Sequence, residues 1–112
     1  MSISCYQILP GSQSIVAVQW DGSAKGLQKL LGTENVAFKP WDGRHDLVVC
    51  RESFLCLDSF AYSTSGRKYN FRGAALLVGF DRAGKFADAT TSPRDMLGNI
   101  TFERFIENRA SL

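Results

Sequence analysis

Apolar residues recur along this chain with two periods, and the switch between them marks its elements. Residues 3–9, ISCYQIL, mix β-branched and aromatic side chains and stop at Pro10-Gly11, which predicts a strand closed by a turn. In SIVAVQW, residues 14–20, alternation puts Val16, Val18 and Trp20 on one side and Ile15, Ala17 and Gln19 on the other. The first side is the more apolar, so Trp20 is expected to point into a core. After Asp21-Gly22 the period lengthens. SAKGLQKLLG spaces Leu27, Leu30 and Leu31 along one helical face, between Ser23 as N-cap and Gly32 as stop, and predicts a helix of about two to three turns. Gly26 inside it costs roughly 1 kcal/mol relative to Ala, so packing of the leucines has to hold the helix in place.

Further on, NVAFKPW (residues 35–41) reads as a short strand whose Pro40 cannot donate to a ladder, which predicts an edge or a strand end. DLVVC (46–50) and SFLCLDSFAY (53–62) are strong β-like runs divided by Arg51-Glu52; they could form a hairpin, although the two-residue break lacks the glycine of a tight turn. STSGRKYNFRG (63–73) reads as loop. AALLVGF and KFADATT flank DRAG, whose Gly84 suits the left-handed position of a hairpin loop. SPRDMLGN, with Ser92 before Pro93 and Asp95 in the first turn, predicts a short helix. ITFERFIENRASL fits both periods, and its first half is expected as strand. The sum is an α+β fold, one domain over residues 1–112, built mainly as an antiparallel curved sheet or small barrel with one or two short helices, the leucine-faced helix covering an apolar face.

Composition changes this picture little. With 112 residues, 45% hydrophobic and 21% charged, the chain has material for one core. A net charge of +2 is too mild for binding a polyanion through charge alone. Cys5, Cys50 and Cys56 are odd in number and lack CxxC spacing, which points to reduced thiols in a cytoplasm. No apolar run approaches the roughly 20 residues that span a bilayer, and MSISCYQILPG lacks signal-peptide features. A soluble cytoplasmic protein without membrane contact is expected.

The tripeptide Trp-Asp-Gly occurs twice, at residues 20–22 and 41–43. The first copy leads into the leucine-faced helix and the second into RHDLVVC, so these are two similar turns and not a repeat. Pro40 adds one residue before the second copy and is expected to leave Trp41 partly exposed. The stretch from Ile15 to Gly32, IVAVQWDGSAKGLQKLLG, resembles the opening of small phage and prophage proteins in which a V-x-A-x-Q-[W/F]-x-G strand leads into a short helix ending near FLG. Val16, Ala17, Val18, Gln19, Trp20, Gly22 and Leu30-Leu31-Gly32 carry the similarity, over about a sixth of the chain. The proline-glycine-aspartate turn that such proteins place before their next strand is not evident here. The resemblance implies phage origin and action in a bacterial host cytoplasm, and it supplies no activity or cofactor.

Three kinds of chemistry compete. RHDLVVC holds the only histidine, His45, near Cys50, but along a strand the two stand about 13 Å or more apart, beyond reach for activating a thiol. No metal-ligand spacing, phosphate loop or dinucleotide fingerprint is present, so neither catalysis nor a cofactor is expected. Between Ser59 and Phe80 there is no acid, and Arg67, Lys68 and Arg72 interleave with Tyr69 and Phe71, the residue types that hold phosphates and stack bases in single-stranded nucleic acid. Three cations are few beside the roughly six to ten phosphate contacts of a strong binder. Protein recognition is the third: the strand end at Pro40, with Trp41 and Arg44 beyond it, or an anchor such as Phe102 or Phe105. The expected function is therefore that of a small phage-type accessory protein that binds a host macromolecule, a protein in the first place, and inhibits or modulates it. The alternative is a weak nucleic-acid-binding module using Arg67, Lys68, Tyr69 and Arg72.

Overall fold

In the computed structural model, residues 2–51, 58–64 and 67–104 are described. They form β1 (Ile3–Leu9), β2 (Ser14–Trp20), α1 (Ala24–Leu31), β3 (Val36–Pro40), β4 (His45–Cys50), β5 (Asp58–Thr64), β6 (Arg67–Arg72), β7 (Ala75–Phe80), β8 (Phe86–Ala87), α2 (Pro93–Leu97) and β9 (Ile100–Arg104). One sheet runs β2-β1-β7-β4-β3, with β8 also on β7, and a second runs β6-β5-β9. Every pairing is antiparallel. Both sheets are open, so the α+β curved-sheet form is realised and the barrel is not.

The layering follows from β4 and β7, which carry apolar side chains on both faces. Val48, Leu76 and Val78 pack with Ile3, Cys5, Trp20, Leu27 and Leu31 beneath α1. Leu47, Val49, Ala75 and Leu77 face the other way, onto Phe60 and Tyr62 of β5, Met96 of α2 and Ile100 of β9. The larger sheet is thus sandwiched between one helix and the three-stranded sheet, which is how a strand buried on both sides satisfies each face.

Helix α1 forms where its leucine spacing and caps place it. The Ser23 hydroxyl accepts the Gly26 N–H at 2.9 Å, and Gly32, left-handed at φ 72°, donates its N–H to Gln28 at 2.7 Å. Gly26 is more than a propensity cost. Asp21 accepts from both the Ser23 N–H and hydroxyl, and a Cβ at position 26 would overlap its carboxylate.

Two expectations need correction. In the described residues β4 and β5 do not pair: β4 pairs with β3 and β7, and β5 belongs to the other sheet, while residues 53–57 of the second run lie outside the described residues. With both faces apolar, β4 is suited to a central position, and Arg51-Glu52 lacks the glycine that would fold it tightly onto its successor. Residues 67–72 are a strand and not loop: Tyr69 and Phe71 alternate with Lys68, Asn70 and Arg72 and pair with Tyr62 and Phe60. The DRAG hairpin forms as expected, with Gly84 at φ 80° and the Asp81 side chain accepting from Ala83 and Lys85 amides.

Gly79 is where the chain after β8 folds closest over β7: a Cβ there would come within 2.6 Å of the Asp88 carbonyl and 3.0 Å of that of Ala87. Because both obstacles are backbone, Gly79→Ala should destabilise the protein by about 1–3 kcal/mol. Urea unfolding of the variant reads this directly, and an unchanged midpoint would contradict the close approach.

Candidate functional site

At one end of the larger sheet the second Trp-Asp-Gly turn is tied down by a buried histidine. The N–H groups of Trp41 and Asp42 donate to the His45 carbonyl at 3.1 and 3.2 Å. The Asp42 carboxylate accepts the Arg44 N–H at 2.7 Å and lies 2.9 Å from His45 Nδ1. The Thr90 N–H donates to His45 Nε2 at 3.0 Å. Since Nε2 accepts from an amide, the ring proton sits on Nδ1 and is donated to Asp42. His45, 3% exposed, therefore fastens the turn, β4 and the segment after β8 to one another. Burial pushes the Asp42 carboxyl up, but the Arg44 N–H and the His45 ring outweigh it and hold the group below its ordinary value.

Over this pin lies an open cleft of about 430 Å³, lined by Gly43, Arg44, Phe80, Arg82, Ala87 and Thr90 together with Asp81 and Asp88. The two carboxylates already serve backbone amides: Asp81 those of its own hairpin turn, Asp88 that of Ser4. Arg44 and Arg82 are exposed at the rim. Next to the cleft, Phe86 pairs with Phe80 across the β7–β8 hairpin. Phe86 stacks on Phe38 of β3 with centroids 5.9 Å apart and meets Trp20 edge-on at 4.9 Å. Trp20 is buried, as its place in the alternation predicts, whereas Phe38 and Phe86 remain 44% and 41% exposed. An aromatic shelf thus adjoins a rim carrying two arginines.

The residues singled out in the sequence scatter around this site. Arg44 lies in the cleft. Trp41 is only 8% exposed and stacks on Tyr62 at 4.6 Å, which overturns its expected partial exposure. Pro40 does not disturb the strand as supposed: it stays in register opposite Asp46, and its carbonyl accepts the Tyr62 hydroxyl at 2.6 Å. Strand β6 sets Lys68 and Arg72 on the face opposite Tyr69 and Phe71. Tyr69 is half-buried and stacks on Tyr62 at 5.2 Å, with Phe71 beside it, while Lys68 and Arg72 point to the opposite face. The Arg67 backbone pairs with Thr64; its side chain and the whole of Phe105 lie outside the described residues. Phe102 pairs with Phe60 and packs on the shared core. His45 and Cys50 occupy the two ends of β4, about 16 Å apart at strand rise, and are not brought together.

Phe38, Phe86 and Arg82 were not picked out by sequence reasoning. Each looks ordinary locally: Phe38 alternates in a strand, Arg82 sits in a turn. Phe38 and Phe86 meet over β4 and β7, because β8 pairs with β7 on the side away from β3.

Among the described residues, no group of three or more His, Cys, Asp or Glu could hold a metal ion, and no helix is long and apolar enough to cross a membrane. Compared with known protein families, curated proteins and solved structures, the chain has no match.

The pin and the thiols each lead to a measurable outcome. Asp42→Ala leaves the buried His45 Nδ1–H without its acceptor and should cost about 1–3 kcal/mol at pH 7. Because the folded carboxyl titrates below its ordinary 3.8, this stabilisation is present above that value and is lost as pH falls through the lowered one. Urea unfolding at pH 7 and below pH 3 should show the gap between wild type and variant closing; a constant gap would argue against an ionised Asp42 partner. Burial, with help from Asp88, pushes the Cys5 thiol up to about 11. Iodoacetamide at pH 8 should therefore modify Cys5 only after unfolding, as mass spectrometry of the digested protein will report.

Proposed function

We propose that this protein is a binding module and not an enzyme: a phage-type accessory protein that docks on a bacterial host protein and inhibits or modulates it. The observation that carries the reading is the exposed, stacked Phe38–Phe86 pair, with Phe86 next in the β7–β8 hairpin to Phe80 and Ala87 of the cleft that Arg44 and Arg82 also line. Aromatic residues and arginine are the types enriched in protein interfaces and among their hot spots, whereas charged residues other than arginine are depleted there. Stacked phenylalanines at the surface gain from being covered, and guanidinium groups beside them supply direction and hydrogen bonds to a partner's carboxylates or carbonyls. The phage element rests on the similarity of residues 15–32, which form β2 and α1.

Two further points favour binding over catalysis. Both ring nitrogens of His45 are engaged in holding the fold, and Cys50 stands at the far end of the same strand. Nucleic acid is the less favoured partner, because Lys68 and Arg72 face away from Tyr69 and Phe71, with which they would have to act.

The test is affinity capture from bacterial lysate with the wild type, a Phe38→Ser/Phe86→Ser variant and an Arg44→Glu variant. A specific protein should be retained by the wild type only. Each aromatic truncation should weaken purified-partner affinity by about thirtyfold, the effect of losing a hot-spot anchor worth roughly 2 kcal/mol. Capture unchanged in both variants would sink the reading. So would salt-sensitive binding of labelled single strands that survives the phenylalanine changes and is lost in Lys68→Ala/Arg72→Ala.

A further inference from the structure

The two outer strands of the larger sheet are defended very differently. On β3, Lys39 and Pro40 are exposed, Pro40 supplies no N–H, and its carbonyl is taken by the Tyr62 hydroxyl. These are the usual means of keeping a sheet edge from pairing with another chain. On β2, Ser14–Trp20, there is no charge, no proline and no irregularity in the pairing over seven residues.

The register shows which backbone groups of β2 are turned outward. Ser4 donates its N–H to Asp88 and receives that of Ala89, so its polar groups face away from β2, and Ser4 lies opposite Gln19. In an antiparallel ladder the direction alternates residue by residue. Ser14, Val16, Val18 and Trp20 therefore bond to β1, and the N–H and C=O groups of Ile15, Ala17 and Gln19 point away from the sheet. No described residue bonds to them.

We infer that β2 is the pairing edge for a second copy of this chain, joined antiparallel about a two-fold axis at Ala17. The strand is self-complementary in that register. Ile15 then faces the partner's Gln19, Ala17 faces the partner's Ala17, and Gln19 faces the partner's Ile15, so all the outward groups meet in three pairs at two hydrogen bonds each. Val16, 38% exposed on the α1 side, comes opposite the partner's Val18 and is covered by it. The smallest side chain of the strand stands on the axis, where two copies come face to face. No like charges oppose, and any other symmetric register shortens the overlap. An isologous contact of this kind closes at two copies. It touches the phenylalanine shelf at Trp20, whose ring packs on Phe86, but the outward backbone groups of Ile15, Ala17 and Gln19 are not part of the shelf, so neither surface depends on the other being used.

Sedimentation velocity on the full chain from about 1 µM to about 1 mM, the range of modest affinities, tests the inference. The wild-type mass should rise from one chain to two. Ala17→Lys and Ala17→Glu, each exposed and each set directly against its own copy, should weaken dimerisation at least tenfold. An equimolar mixture of the two should restore it, and added salt should reverse the restoration. Recovery in the mixture also shows that both variants fold. A single-chain mass for the wild type throughout, a dimer that neither substitution weakens, or a mixture that stays monomeric overturns the proposal. Loss of captured host protein in the Phe38→Ser/Phe86→Ser variant leaves this result untouched, so the two readings fail separately.

Discussion

A strand that is apolar on both faces must be covered twice, and β7 imposes that requirement on the rest of the chain. Ala75, Leu76, Leu77 and Val78 are wholly buried in succession. Alternation sends two of them toward α1 and two toward the smaller sheet. Burying apolar side chains contributes roughly 1.5–3 kcal/mol each for the larger aliphatic ones, and that is available only if a helix and a second sheet both dock. The position of α1, the aromatic inner face of β5 and β6, and the return of β9 beneath them all answer to this one strand.

The same constraint shapes the functional end of the molecule. α1 has eight residues, and Phe38 and Phe86, outside the cluster that packs beneath it, stay 44% and 41% exposed while stacking on each other, with Phe86 also meeting Trp20. The turn at residues 41–44 is kept in place by His45 through Asp42 and Thr90, which fixes where Arg44 enters the cleft. A buried neutral histidine satisfied at both nitrogens rigidifies its surroundings. Here it turns a loop arginine into a positioned one.

Much of this was legible in the sequence where local chemistry decides. The α1 caps at Ser23 and Gly32, the Ser92-Pro93 start of α2 and the glycine of the DRAG turn act through neighbours in the chain, and each formed as its residue types predict. Trp41 shows the limit. The proline before it predicts partial exposure, yet its environment is Tyr62, more than twenty residues away, stacking on its ring. β6 shows another: serine and glycine at residues 63–66 suggested loop, and the alternation of Lys68, Tyr69, Asn70 and Phe71 marks a strand only once an aromatic inner face exists for it to cover.

Sequence by itself determined the α+β character of this protein, its leucine-faced helix, the inward Trp20 and the placing of Pro40 at an edge or a strand end. Periodicity, caps and the missing proline donor are properties of a residue and its near neighbours. Only the tertiary structure decided that β4 leaves its successor for β7, that His45 binds across to Thr90, and that Phe38 meets Phe86. Those contacts join positions tens of residues apart, and their free energy exists only when the layers have closed around β7.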